Sequence, residues 1–259
     1  MIKFFRKIRQ NLLKEGKTTR YFKYALGEII LVVIGIIIAL QINNWNNNRI
    51  SRSQEITYLK SIKENLQSDL GNISFNIQKR QEKIKAAQYI VKQMENTQKQ
   101  ALDNLIAINN NTFSVINVDN FKANNITFTE LVSSGNVNII SNPTLKNTLL
   151  KLEFEYTLND QMIAHENFDY EQYISKPFFK TVDFNSMLPK YLNGIKDENL
   201  SISRQQYQQL LTNLEFKNGC LLSIVMSKAY FLPGLMKIEK LSKQAIQLIN
   251  SETKNEYSY

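Results

Sequence analysis

The chain holds one cysteine, Cys220, and one histidine, His165, in 259 residues. A single cysteine excludes an intrachain disulfide framework. One Cys and one His together exclude a Cys/His zinc finger and any two-histidine metal motif. Glycine (8) and proline (4) reach well under half their average share. That poverty of turn-formers excludes a sandwich or barrel of many short strands and leaves a mostly helical chain. The sequence contains no G-x-G-x-x-G, no G-x-x-x-x-G-K-[ST] and no G-x-S-x-G. It carries no catalytic signature. At 30.2 kDa it is long enough for one or two domains with a sizeable core.

What is present is uneven. Residues 1–28 contain Lys3, Arg6, Lys7, Arg9, Lys14, Lys17, Arg20 and Lys23 against Glu15 and Glu28, and so hold most of the net charge of +9. Directly after them, residues 29–40 read IILVVIGIIIAL, with no polar side chain. With its flanks, the stretch 24–45 makes a helix of about 32 Å, close to the ~30 Å of a bilayer's hydrocarbon core. Tyr21 and Tyr24 at one end and Trp45 at the other fit an aromatic belt. The run leads into Gln41-Ile42-Asn43-Asn44-Trp45, without the small-x-small site at which a signal peptide is cleaved. An uncleaved anchor is therefore expected.

The eight cations before the span, against Arg49 and Arg52 just after it, predict a cytoplasmic N-terminus. The remainder then lies outside, in the periplasm if the membrane is the bacterial inner one. Phe4, Phe5, Ile8, Leu12 and Leu13 recur at helical spacing among the cations. That pattern fits a basic amphipathic helix on anionic lipid headgroups rather than a nucleic-acid-binding tail. Within the span Gly27, Leu31, Gly35, Ala39 and Asn43 share one stripe. Gly35-x-x-x-Ala39 is a small-xxx-small pair that suits self-association into a homodimer.

The run 27–46, GEIILVVIGIIIALQINNWN, resembles the opening of a large bacterial family of uncharacterised membrane proteins. A second block, 127–140 (TFTELVSSGNVNII), is similar to an internal block of the same family. The resemblance implies a single-pass inner-membrane protein with a helical ectodomain, and implies no active site.

Beyond the span, Leu59, Ile62, Leu66, Leu70, Ile73, Ile77, Ile84, Ala87, Val91 and Met94 follow alternating spacings of 3 and 4, with Arg80 taking one seam position. Lys60, Lys63, Glu64, Lys79, Glu82 and Lys83 read as the solvated face. The seam fits either the first long helix of an intramolecular bundle or a stalk paired between chains. Residues 109–125 read as an irregular loop. Residues 127–134 read as a short helix, with Gly135 at its left-handed end. Asn142 reads as the cap of a helix begun by Pro143. That helix is expected to break near Asn159 and to end at Pro177. Ser203 is expected to cap another helix, reaching about residue 215. The apolar stretch 219–236 is expected to be a core helix, because Lys228 and Pro233-Gly234 interrupt it as a second span.

The predicted fold is all-α: a single N-terminal transmembrane helix, a long helix and an extracytoplasmic helical bundle. The segments are 1–23, cytoplasmic and basic; 24–45, membrane; 46–100, the long helix; and 101–259, the bundle, packing with 51–100. His165 and Asp169 share a helical face and are candidate cation ligands. The acids of 152–175 read more simply as a solvated face open to a basic partner. No cofactor is implied. The leading expectation is a non-catalytic, membrane-anchored interaction or scaffold protein with an unknown membrane or periplasmic protein partner. The alternatives are a ligand-sensing bundle with a pocket near 127–175 and a metal-dependent enzyme built on His165.

Overall fold

A computed structural model of the chain describes residues 18–96, 104–188 and 202–254. The side chains of residues 18–21 and of Tyr24 lie outside the description, as do residues 1–17. The expected lipid contacts of Lys3, Arg6, Lys7, Arg9, Lys14, Lys17 and Arg20 and the belt positions Tyr21 and Tyr24 therefore fall outside it. Among the described residues all regular structure is helical. The helices are α1 (Thr18–Asn96), α2 (Leu105–Ile116), α3 (Ile126–Ser133), α4 (Pro143–Tyr170), α5 (Lys176–Thr181), α6 (Arg204–Leu211), α7 (Leu214–Met226) and α8 (Leu232–Lys254). The chain divides into two compact units, Met1–Thr57 and Tyr58–Tyr259.

In the first unit α1 runs without proline. Its large apolar side chains from Ile29 to Leu40 are 46–61 % exposed. Isoleucine and valine are mediocre helix formers in water. In lipid, helix is the form that satisfies every backbone group within one segment. This part of α1 is long and apolar enough to cross a membrane, and none of its most apolar stretch is buried. Gly27 and Gly35 have open space where a Cβ would stand. Trp45 is exposed, with the Arg49 guanidinium 5.8 Å from its ring centroid.

In the second unit the rest of α1 is a core element of the same chain. Leu59, Ile62, Leu66 and Ile73 pack with Leu145, Leu149, Leu152 and Tyr156 of α4 and with Leu235, Ile238, Ala245 and Ile249 of α8. Further along, Ala86, Ala87 and Ile90 join a second core with Ile108, Val115, Phe178, Tyr207, Phe216 and Cys220. Burying each large aliphatic side chain contributes about 1.5–3 kcal/mol.

The inward seam differs from the expected one. Asp69, Asn76 and Ile90 are buried where Leu70, Ile77 and Val91 were expected to lead, and Lys83 is buried rather than solvated. The observed seam 59, 62, 66, 69, 73, 76, 80, 83, 87, 90 keeps the 3–4 alternation. Four of its members are polar. A bundle helix buries a stripe wide enough to admit both registers, and the bonds of Asp69 to Asn124 and Tyr156 and of Arg80 to Glu166 favour this one.

The corner in the middle of the chain follows its sequence. Gly135 has φ 73°, the left-handed conformation. The Asn142 side chain accepts the Leu145 N–H at 3.0 Å, with Pro143 in the first turn. Three expectations fail. The loop expected over 109–125 is helical to Ile116, because Asn104 caps α2 and Asn109 bonds inward to the Ser186 carbonyl and the Tyr207 hydroxyl. No break occurs at Asn159, whose amide donates to the Phe121 carbonyl at 3.2 Å. Pro177 does not end the helical path: a π-turn, Glu171–Ser175, carries it from α4 into α5. At that turn a Cβ on Gly219 would stand 2.5 Å from the Tyr173 carbonyl oxygen. Only glycine lets α7 approach so closely. Ser203 caps α6, which stops at Leu211; Asn213 then caps α7.

The stretch Leu214–Lys254 is also apolar enough to cross a membrane, and it is partly buried within the unit. Its inward residues include Phe216, Gly219, Cys220, Phe231, Leu235 and Ile238.

Candidate functional site

Between the two apolar cores lies a buried charge cluster. Arg80 of α1 and Glu166 of α4 are each 3 % exposed. They pair through two parallel hydrogen bonds: Nη1 to Oε1, and Nη2 to Oε2 at 2.7 Å. Arg80 Nη2 also donates to the Asn120 side-chain oxygen at 2.7 Å. The guanidinium lies 3.6 Å from the Phe231 ring centroid, a favourable face for a cation. Lys83, one turn on, is 6 % exposed. Its Nζ lies 3.7 Å from Glu166 Oε1, beyond hydrogen-bond reach.

Two cations thus share one carboxylate in a low-dielectric interior. Burial pushes the Glu166 carboxyl up, but the Arg80 hydrogen bonds and the charges of Lys83 and Arg80 outweigh it and hold the group below its ordinary range. Burial, helped by the charge of Arg80, lowers Lys83 against the pull of Glu166.

Beside the cluster a polar cleft of about 50 Å³ is lined by Lys79, Arg80, Glu82, Lys83, Phe113, Ser114, Asn117 and Asp119. The Asn117 amide donates to Asp119 Oδ2 at 2.8 Å. A second gap, between Ile62, Leu66, Phe128, Leu149 and Tyr156 in the region where a ligand pocket was expected, holds only about 10 Å³, the room of about one water.

Elsewhere Asp69, fully buried, takes the Asn124 N–H on both carboxylate oxygens at 3.0 Å and the Tyr156 hydroxyl at 3.3 Å. It ties the segment 117–125 to α1, as Arg80 does through Asn120, while Asn159 ties the same segment to α4 through the Phe121 carbonyl.

His165 and Asp169 do face each other, 3.7 Å apart, but the imidazole is 60 % exposed. Among the described residues no group of three His, Cys, Asp or Glu stands close enough to hold a metal ion. The expected solvated acidic face is only partly one. Glu166 is in the charge cluster, Glu155 is buried and meets Lys237 at 2.6 Å, and Glu153 accepts from Asn125 at 2.8 Å. The span residues Leu31, Ala39 and Asn43 are exposed, as is Lys23. Sequence reasoning missed Lys83, Glu166, Asp69 and Asp119. One signal was available: Arg80, a charge in an apolar seam, demands a buried counter-charge.

Residues 28–171 match the sequence pattern of a family of unknown function, DUF6090. The chain belongs to that family. The matched region takes in the apolar part of α1, the charged members of the cluster, Arg80, Lys83 and Glu166, and Asp119 of the cleft. No curated protein and no solved structure matches the chain.

Proposed function

We propose that this DUF6090 protein is a membrane-tethered helical interaction module of the bacterial inner membrane, with residues 1–23 in the cytoplasm and the bundle in the periplasm. The observation that carries the reading is the apolar part of α1. Ten large aliphatic positions between Ile29 and Leu40, interrupted only by Gly35 and Ala39, are left exposed by the described residues, and eight cations precede them. The stripe Gly27, Leu31, Gly35, Ala39 and Asn43 provides a face for a second copy or for a partner's membrane helix.

The test is a reporter that is active only outside the cytoplasm, fused after Tyr259, together with membrane fractionation. The expected result is an active reporter in the membrane pellet after an alkaline wash. A reporter active only in the cytosol, or a chain that stays in the soluble fraction, overturns the reading.

A second reading, a ligand-sensing bundle, is favoured by one observation, the polar cleft beside Lys83.

A further inference from the structure

We propose that the cleft between α1 and the C-terminal end of α2 binds a small amino-acid zwitterion of the glycine–alanine size class, with its carboxylate on Lys83 and its ammonium at Asp119. The proposal deepens the ligand-sensing reading and is independent of membrane topology.

The two walls differ in polarity. On the α1 side Lys83 is almost wholly buried, yet its side chain lines the cleft. Its nearest carboxylate, Glu166, is 3.7 Å away and already receives two hydrogen bonds from Arg80. The ammonium has three N–H donors, and among the described residues it makes no hydrogen bond. It is held instead by the charge of Glu166 and lies 6.0 Å from the Tyr170 ring centroid, so its N–H donors remain open to a ligand oxygen in the cleft.

The facing wall offers acceptors. Ser114 gives its hydroxyl proton to the Asn110 carbonyl, which leaves its oxygen lone pairs available. Asn117 gives an amide proton to Asp119 Oδ2, which leaves its own carbonyl oxygen and Asp119 Oδ1 as acceptors.

Charge selects the ligand class. A simple anion entering the cleft meets Asp119 and Glu82. A simple cation meets Lys79, Arg80 and Lys83. A molecule negative at one end and positive at the other satisfies both walls. The size, about 50 Å³, admits only a few non-hydrogen atoms, and Phe113 supplies the apolar surface for a methyl group. The buried Arg80–Glu166 pair holds the floor in place through its two parallel hydrogen bonds and the third from Arg80 to Asn120.

Isothermal titration of the full-length chain in detergent micelles, with glycine, L-alanine, acetate, methylamine and L-tryptophan as probes, tests the proposal. Saturable binding of glycine or L-alanine is expected, with acetate and methylamine roughly tenfold or more weaker, because each keeps only one charged contact. L-tryptophan, too large for the cleft, is expected not to bind. Lys83→Met and Asp119→Asn should each weaken L-alanine roughly tenfold or more. Asp119 is only half-buried, so Asp119→Asn serves even if Lys83→Met fails to fold. Absence of saturable glycine or alanine binding overturns the proposal. So does acetate binding as tightly as alanine, or affinity unchanged by Asp119→Asn. None of these outcomes bears on the reporter assay for membrane topology.

Discussion

Arg80 and Glu166 stand 86 positions apart in the chain and close on each other through two parallel hydrogen bonds in the gap between two apolar cores. The pair fixes the register of α1 against α4. Replacing either partner alone leaves a buried charge that is short of its counter-ion. Arg80→Met is expected to cost about 3–5 kcal/mol, and Arg80→Met with Glu166→Leu to recover much of that loss. Urea unfolding followed by helical circular dichroism measures both. The pairing also sets a pH dependence. Glu166 titrates lower in the fold than its unfolded 4.5, so its stabilisation is complete above about pH 4.5 and fades as pH falls through the folded value. Glu166→Gln should flatten that acid limb.

Asp69 is expected to behave with the opposite sign. Burial raises its carboxyl above the ordinary 3.8, and the Asn124 N–H and Tyr156 hydroxyl only partly offset this. The fold therefore binds this proton before the unfolded chain does. The contribution of Asp69 becomes more favourable as pH falls through the raised value toward 3.8. Asp69→Asn, which keeps an acceptor for the Asn124 N–H, should remove that gain and make the acid limb steeper. Asp69→Ala should cost about 1–3 kcal/mol through the orphaned amide. Hydrogen exchange at Asn124 reads the clamp directly: protection is expected to survive Asp69→Asn and to fall in Asp69→Ala.

These two sites also mark how far the sequence was legible. Local signals were read correctly where local chemistry decides. Gly135 supplies a left-handed turn, Asn142 with Pro143 starts a helix, and the apolar run 29–40 forms one unbroken helix. The sequence pattern points α1 toward a different register because leucine and isoleucine at 70 and 77 outrank aspartate and asparagine at 69 and 76 on hydrophobicity alone. Asp69 and Arg80 face inward because their partners, Asn124, Tyr156 and Glu166, arrive from 55 or more positions away, and no local pattern encodes that; Asn76 bonds within α1, to the Asn72 carbonyl. Pro177 reads as a terminator in the sequence because the π-turn that absorbs it packs against Gly219, a residue far along the chain. Of the cleft, only Arg80 announced itself.

Cys220 lies at the floor of the second core and is wholly buried. Burial pushes its thiol up to about 12, which leaves about one thiol in 10⁵ ionised at pH 7. Since the thiolate is the reactive form, a disulfide reagent is expected to leave the native chain unmodified over hours and to label it stoichiometrically in denaturant. Rapid labelling of the native chain would place Cys220 outside the core.

Two glycines of the second unit give opposite expectations from one substitution. At Gly219 a Cβ would stand 2.5 Å from the Tyr173 carbonyl oxygen and 2.8 Å from its carbonyl carbon. Both are backbone atoms, so relief requires α7 to move away from the π-turn. Gly219→Ala should cost about 1–3 kcal/mol, the usual range for overpacking. At Gly71, on the exposed side of α1, nothing stands within 4 Å of the added Cβ. There the substitution removes only backbone freedom from the unfolded chain and improves helix propensity. Gly71→Ala should therefore gain about 0.5–1 kcal/mol. Thermal melts of the two variants are expected to move in opposite directions from the parent. If Gly219→Ala melts at or above the parent temperature, the close approach of α7 to Tyr173 is wrong, and with it the reason the helical path continues past Pro177.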